Sequence, residues 1–497
     1  MKLPHWVVVL ATMGALPFPA TGGQFEDQAK AQYETNSRFS PPTGWAGPKF
    51  ELSRNYPPMP PPADPSAPWL AVDFRTPGQE ADYMKKVLAY CLEGNVAVDF
   101  RAQDNAVRTW YHAPWMHFGP AGREPTRGLT SERPAPPKFL HDNQTRRVQN
   151  WAVGFYNAAG GYALGRVWQD PANPRSAMTS FPVGTVSFKL LFTDATAAEV
   201  PYLADSVEWQ AMINETGPAP DFVIQNSRVS SPVPMRLLQV DIAVRDSRAD
   251  ATTGWVFGTF VYNAALKQAG DTPWDRLMPV GIMWGNDPNF TPAPGTRPAE
   301  SWVNPDAVTL LTTSVRNQLG YQGRVNGPVD NPMSSCLSCH MTAQDKPAPI
   351  MFERRADTGT DPYYGARPRS DWFRNLKSTD PFKPGENPLD YSLQLTVGLD
   401  HFQTWKQTNF GADMQPLAAA ARPAEIKRSM VNRGNDPTSP HDSPSVEPNP
   451  AKASRPSPDR VQGQKDDAQG TLPILLAVAG VLVACLLVAL VLARRRS

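Results

Sequence analysis

The chain has 497 residues, of which 41% are hydrophobic and 10% aromatic, so it can bury a substantial core despite its 54 prolines. Its 48 basic and 47 acidic residues are mixed along the sequence, so no global field attracts nucleic acid. We therefore expect two or three domains and no nucleic-acid partner.

The first 22 residues have the pattern of a secretory signal peptide. Lys2 precedes an apolar stretch from Trp6 to Ala15, and the small residues at 20–22 fit a cleavage site. A buried first strand is the alternative interpretation. We predict export of the chain, with residues 23–68, which are rich in Pro and Gly, forming an irregular arm behind the cleavage site.

Residues 69–300 are predicted to form a β-rich domain. The run Thr76–Gln79 is typical of a helix start, and the apolar spacing that follows it, which includes Cys91 as a core thiol, predicts one helix up to Gly94. Strands are predicted in three places: Val186–Phe192 and Leu238–Arg245, where apolar and polar residues alternate, and the apolar run Trp255–Tyr262. The expected fold class is α+β, with a mainly antiparallel sheet arranged as a sandwich or an open barrel and a few helices.

Residues 301–414 are predicted to be a haem-binding segment. Asn304 is expected to cap a second helix that ends at Gly320, and a loop then leads to the run CLSCH at Cys336–His340. Attachment of c-type haem needs two thiols that add to the porphyrin vinyl groups and an imidazole that binds the iron. The spacing supplies all three groups, so we predict that Cys336 and Cys339 hold haem c and that His340 is an axial ligand of its iron.

Other interpretations of the cysteine pair stay open at this point. A structural zinc site needs a further ligand, a thioredoxin-like redox pair needs a βαβ context, and a disulfide or free thiols need neither. The run Ser335–His340 resembles the attachment site of bacterial c-type cytochromes, which implies haem binding and electron transfer. A second resemblance, at Phe181–Lys189, is to the cytochrome P460 family, which is β-rich and places its attachment site near the C-terminus. In that family a lysine of this strand is bonded to the haem, and the corresponding residue here is Lys189.

The sixth ligand of the iron decides between functions, because a strong ligand makes an electron carrier and an open position admits peroxide, nitric oxide or hydroxylamine. The candidates are His112, His117, Met351, His401 and Met414. The first two lie in an aromatic-rich segment, 110–124, which is expected either to line a haem pocket or to be an ordered surface loop. We predict a membrane-anchored monohaem cytochrome that exchanges single electrons with redox partner proteins of the cell envelope. A haem enzyme with an open axial position, P460-like or peroxidase-like, and a haem-based sensor are the alternatives.

The C-terminal part is predicted to tether the body to a membrane. Residues 415–470 have few large apolar side chains and many Pro, Ser, Asp and Lys residues, which favours a flexible stalk. Residues 471–493 are uncharged, contain Cys485, and at about 1.5 Å per helical residue are long enough to cross a bilayer. The arginines of 494–497 favour the cytoplasmic side. We therefore expect an inner-membrane anchor with the body in the periplasm.

Overall fold

The structure is a computed structural model that describes residues 23–268, 271–346, 369–412 and 414–417. The predicted signal peptide, nearly all of the predicted stalk, the predicted membrane span and Met351 lie outside these ranges. The helices are α1 (Gly23–Glu34), α2 (Glu80–Leu92), α3 (Ala158–Val167), α4 (Pro305–Leu311), α5 (Cys336–His340) and α6 (Leu393–Asn409). The strands are β1 (Thr130–Ser131), β2 (Asn150–Tyr156), β3 (Val186–Thr193), β4 (Glu208–Ala211), β5 (Asn214–Thr216), β6 (Ile224–Arg228), β7 (Val233–Arg245), β8 (Trp255–Tyr262), β9 (Leu277–Met283) and β10 (Ser301–Val303).

Eight of these strands form one open antiparallel sheet. Its order is β1-β2-β3-β7-β8-β9-β10, and β4 pairs with the first part of β7. Every residue of β8 is buried, as its apolar sequence predicts for a central strand. The β-rich, antiparallel character of the fold is confirmed. The sandwich form is wrong, because these strands share one sheet and only the small β5-β6 pair stands apart from it.

The predicted transmembrane helix requires a correction to the expected architecture. Within the described ranges no helix is both long and apolar enough to cross a membrane. The longest of them, α6, has 17 residues and carries Asp400 and Lys406. The predicted span at 471–493 falls outside the described residues. The fold that the structure supports is a β-rich body with an antiparallel sheet and few helices.

Two predicted helices exist, but their ends differ from the expectation. Helix α2 begins at Glu80 and not beside Thr76, because Gly78 has a left-handed φ of 91°. Helix α4 has the predicted cap, since the Asn304 side chain accepts a hydrogen bond from the backbone N–H two residues later. It ends at Leu311 and not at Gly320. The chain that follows it is held instead by the buried Arg316, which donates to main-chain carbonyls.

The two faces of the sheet carry different structures. Side chains alternate along β7, so Val240, Ile242 and Val244 lie on one face and Asp241 and Ala243 on the other. Helix α2 covers the first face with an apolar stripe that includes the fully buried Cys91 thiol. A second hydrophobic cluster contains residues of α3, α5 and α6, together with Phe25 and Ala29 of α1. Helix α1 was not predicted, because residues 23–68 were expected to be irregular.

The segment that leads to β1 is held by one buried carboxylate, that of Glu124. It accepts hydrogen bonds from the backbone N–H groups of Thr126, Arg127, Leu129 and Met212, at 2.8, 2.5, 3.2 and 3.3 Å. Glu124→Ala leaves these donors unpaired and should lower the free energy of unfolding by at least about 3 kcal/mol. Urea unfolding followed by tryptophan fluorescence measures the loss. Glu124→Gln keeps an acceptor oxygen and should lose less, so an equal loss in both variants contradicts this account.

Candidate functional site

The run CLSCH folds as the short helix α5, which is fixed at its start. Ser335 and Ser338 form a capping box, in which the Ser335 Oγ accepts from the Ser338 N–H at 3.1 Å and the Ser338 Oγ accepts from the Ser335 N–H at 2.7 Å. Leu337 is fully buried in the second hydrophobic cluster. Residues three and four positions apart share a helix face, so both cysteines and the histidine lie together.

The two thiols of this helix are free, and Cys339 is buried whereas Cys336 is half-buried. Neither Cys336 nor Cys339 forms a disulfide. Burial raises the pKa of Cys339 to about 11. Burial also raises the pKa of Cys336 well above its usual value, and the nearby carboxylates of Asp330 and Asp241 raise it further. Both sulfurs are therefore protonated at neutral pH.

The imidazole of His340 is neutral and oriented. A carbonyl oxygen only accepts, so the Nδ1–H group donates to the Tyr391 carbonyl, 2.9 Å away. The ring of Phe257 packs against the imidazole with centroids 4.5 Å apart. Burial lowers the pKa of His340 to about 4. With the proton fixed on Nδ1, Nε2 carries the lone pair that a metal ligand requires.

The carbonyl that orients His340 belongs to a strained turn. Asp390 and Tyr391 both have left-handed φ values, 48° and 64°, which cost of order 1–3 kcal/mol each for residues with a side chain. The Asp390 carboxylate accepts from the Trp255 Nε1–H and from the Phe181 N–H, each at 2.7 Å. The Tyr391 hydroxyl donates to the Leu376 carbonyl at 2.6 Å. These bonds hold the turn in the conformation that directs its carbonyl to the histidine.

Helix α5 lies on the wall of a large cavity. The cavity has an empty volume of about 1640 Å³, part of it open to solvent. Cys336, Cys339 and His340 all line it. The sheet contributes Gly154, Ser187, Lys189, Asp241, Ala243 and Phe257 to the wall, and the start of α6 contributes Gln394 and Val397.

Small residues of the sheet create this space. Ser187 of β3 pairs with Ala243 of β7, which pairs with Phe257 of β8, so two small side chains lie next to the ring that packs on the histidine. Two residues further along β3, Lys189 pairs with Gly154 of β2. A Cβ atom at Gly154 would overlap the side-chain amide of Gln394, so α6 approaches the sheet closely at this glycine.

A cluster of charged side chains lies on the same wall. The Lys189 Nζ is 3.2 Å from a carboxylate oxygen of Asp241 and 3.8 Å from one of Glu132. Asp330, from the loop before α5, lines the cavity beside them. Burial raises the pKa of both Glu132 and Asp330, whereas the charge of Lys189 lowers it. Burial opposes the charged form of Lys189, but the carboxylates raise its pKa overall. Lys189, which the P460 resemblance singles out, thus shares the cavity with the attachment residues.

The predicted sixth ligands lie elsewhere. Of those that the structure describes, His112, His117, His401 and Met414 do not line the cavity, and Met351 falls outside the described residues. The His112 Nδ1 accepts from the Ser53 N–H at 3.0 Å, and the His401 Nδ1–H donates to the Trp115 carbonyl at 2.8 Å. The His117 Nε2 is 3.2 Å from the Gln32 amide oxygen.

Met116 is the residue of segment 110–124 that reaches the cavity. It is buried and immediately precedes His117, which is one of the predicted sixth ligands. No local pattern favours Met116, because the segment has no regular period and neighbouring side chains point in different directions. Asp330, Glu132 and the Tyr391 carbonyl were also missed. Their proximity to α5 depends on pairings between distant parts of the chain.

The buried histidines should make the protein less stable in mild acid. Burial lowers the pKa of His401 to about 4, below the ordinary value of 6.5. Between these two pH values the unfolded chain binds a proton at this ring and the native protein does not, so stability falls as the pH drops. His401→Asn keeps an N–H donor for the Trp115 carbonyl but cannot titrate. Urea midpoints from pH 7 to about pH 4 should fall less steeply in this variant, and parallel curves would count against the assignment.

Comparisons with known proteins leave the site to be judged on its own geometry. No protein-family model matches the chain, and no match is found among the curated proteins or the solved structures. In the part of the chain that the structure describes, no group of three or more His, Cys, Asp or Glu side chains can hold a metal ion by itself. The site is defined by two thiols and one oriented imidazole on the wall of a cavity that opens to solvent.

Proposed function

We propose that the chain is a monohaem c-type cytochrome that is exported to the periplasm and transfers single electrons. Cys336 and Cys339 would hold the haem through thioether bonds, and His340 would bind its iron. The observation that carries the proposal is the hydrogen bond from the His340 Nδ1–H to the Tyr391 carbonyl, in a cavity that the two cysteines share. This bond leaves Nε2 for the metal, which is the arrangement typical of metal-binding histidines.

The residues of the cavity fit a porphyrin with this attachment. A haem supplies a reversible one-electron centre when it is bound, and the protein controls the ligands and the access of water. The sheet provides a wall with small side chains opposite α5, and Phe257 limits rotation of the His340 ring. Residues 1–22 fit an export signal to the compartment where such attachment takes place.

Met116 is the side chain we propose as the sixth ligand. Its thioether is uncharged and lies on the cavity wall, whereas the Lys189 amine is held by Asp241 and Glu132. A thioether opposite an imidazole makes both axial positions strong, which suits electron transfer and not the binding of small molecules. His340 and Met116 come from α5 and from the loop before β1, so the proposed ligands belong to different parts of the fold.

A haem enzyme with an open axial position is the second candidate. It is favoured by the size of the cavity and by the charged Lys189 cluster on its wall, which would offer proton donors and acceptors to a bound small molecule. In that case no protein side chain would occupy the sixth position, and Met116 would be a packing residue.

Absorption spectra of the purified protein separate the two candidates. We expect low-spin ferric and ferrous bands that do not change when carbon monoxide is added. Met116→Ala should convert the spectrum to high spin and make the ferrous form bind carbon monoxide, and Met414→Ala, at a methionine away from the cavity, should not. A high-spin wild-type spectrum that shifts with carbon monoxide would favour the enzyme. A wild-type low-spin spectrum that Met116→Ala leaves unchanged would remove Met116 from the ligand assignment.

A further inference from the structure

We propose that the carboxylates beside Lys189 are a proton-acceptor site coupled to electron transfer, so that one proton binds there when an electron enters the haem and leaves when the electron leaves. The site consists of Glu132, Lys189, Asp241 and Asp330, which we call the carboxylate cluster. This inference rests on the proposed haem function and couples the binding of a proton to the proposed electron transfer.

The carboxylate cluster is tied to the attachment helix through one loop. The Gly327 N–H donates to the Asp330 carboxylate at 3.0 Å, and the neighbouring Asn326 side-chain oxygen is 3.8 Å from the Cys336 Sγ. The Cys336 N–H donates to the Val325 carbonyl at 3.0 Å. Asp330 is therefore fixed by the same short loop that contacts the first attachment cysteine. The cluster lies on the side of the cavity where the thioether bonds would form.

Two carboxylates of the cluster contact its lysine directly. Lys189 forms ion pairs with Asp241 and Glu132, which are 27% exposed, and this exposed surface lies on the cavity wall. Asp330 faces the same lysine and also the positive charges of Arg133 and Arg316. Arg316 directs its guanidinium to the carbonyls of Gly327, Pro328 and Leu319 and not to a carboxylate.

The carboxylates of Glu132 and Asp330 line the cavity together and do not both ionise easily. Burial and like charge both favour the protonated acid, and this agrees with the raised pKa values of Glu132 and Asp330. Glu132 and Asp330 titrate together, because the charge of Asp330 raises the pKa of Glu132. The proton is therefore assigned to the cluster, with Asp330 and Glu132 as its acceptors.

The charge balance of the proposed step is simple. An electron from a one-electron donor protein adds one negative charge to the cavity, which increases the proton affinity of the nearby carboxylates. A proton from solvent adds to a carboxylate oxygen of Asp330 or Glu132 and converts the carboxylate to an acid. When the electron passes to an acceptor protein, the O–H bond breaks and the proton returns to solvent. No other bond forms or breaks.

A reduction potential that depends on pH is the expected signature. Uptake of one proton with one electron lowers the potential by about 59 mV per pH unit, the value for a tenfold change in a one-electron reaction. The slope should appear between the pKa values of the cluster in the oxidised and reduced proteins and vanish outside them. The measurement is a redox titration of the full-length haem-loaded protein, followed by its visible absorption, at intervals from about pH 5 to about pH 9.

Three variants and one control test the assignment. Asp330→Asn, Glu132→Gln and the double variant keep the shape of each side chain but remove its titration, and we expect the double variant to have a flat potential over this pH range. Asp205→Asn removes a carboxylate that pairs with Lys267 at 3.1 Å outside the cavity, and should keep the wild-type slope. The haem spectrum of each variant shows whether it has folded and holds the cofactor.

The outcomes are distinct. A flat potential in the wild-type protein overturns the proton-acceptor site and leaves the proposed electron carrier intact. A wild-type slope that persists in the double variant also overturns it, because the proton then binds elsewhere. If Asp330→Asn does not fold, a smaller slope in Glu132→Gln supports the site and an unchanged slope overturns it. A wild-type protein without covalent haem overturns both proposals.

Discussion

Replacing both Cys336 and Cys339 by serine should abolish covalent attachment of haem. A serine hydroxyl has nearly the shape of the thiol but does not form the thioether bond, so the double variant should lose its haem in a denaturing gel. Each single variant keeps one thiol and should retain a reduced amount. The buried capping box of α5 does not involve the thiols, so the helix itself should persist. Haem staining of the gel and the absorption spectrum of the denatured protein measure the loss.

The third described cysteine provides the control for this experiment. Cys91 is fully buried, and it lies in α2 on the opposite face of the sheet from Cys336 and Cys339. Cys91→Ser places a hydroxyl in an apolar core and should lower the free energy of unfolding by about 1–3 kcal/mol. It should keep the full haem content. Haem that remains covalently bound in the Cys336/Cys339 double variant would contradict the attachment site.

The second large effect is expected from filling the cavity at Ala243. This residue lies on the cavity face of β7, opposite Ser187 and beside Phe257. Ala243→Phe places a ring in the space assigned to the porphyrin. We expect haem content to fall at least about tenfold, because overpacking a site that must hold the cofactor costs typically 1–3 kcal/mol or more. The apoprotein should keep its urea midpoint, since the ring enters open space and not the packed core.

A matched substitution outside the cavity separates occupancy from general damage. Val223 is 36% exposed and does not line the cavity, so Val223→Phe adds a ring of the same size elsewhere. It should keep the wild-type haem content. Normal haem content in Ala243→Phe would place the porphyrin outside this cavity and would overturn the site described above.

Local patterns were sufficient for the strands that form the cavity wall. The alternation at β3 and β7 and the apolar run of β8 predicted both the strands and the residues that face the core. The Asn304 cap of α4 was equally local. The α1 helix was missed because its polar sequence has only Phe25 and Ala29 as buried residues, too few to give a clear helical period.

The helical turn that brings Cys336, Cys339 and His340 together was predictable, but its surroundings were not. Cys336, Cys339 and His340 follow from spacing along one helical turn. The carbonyl that orients His340 is 51 residues away and belongs to a turn whose left-handed residues are not glycines. Lys189 and Asp241 were brought together by the register of β3 and β7, which the separate strand patterns do not specify. His112 and His117 do not line the cavity, and segment 110–124 has no regular period from which the directions of their side chains can be derived.

The intact mass of the exported wild-type protein, measured after denaturation, tests the central claim most directly. We expect the mass of the chain to increase by that of one haem, with both attachment thiols unavailable to alkylation and Cys91 still reactive once the protein is unfolded. A mass equal to that of the polypeptide alone, with all of these thiols open to alkylation, would contradict the assignment of Cys336, Cys339 and His340 as a haem site.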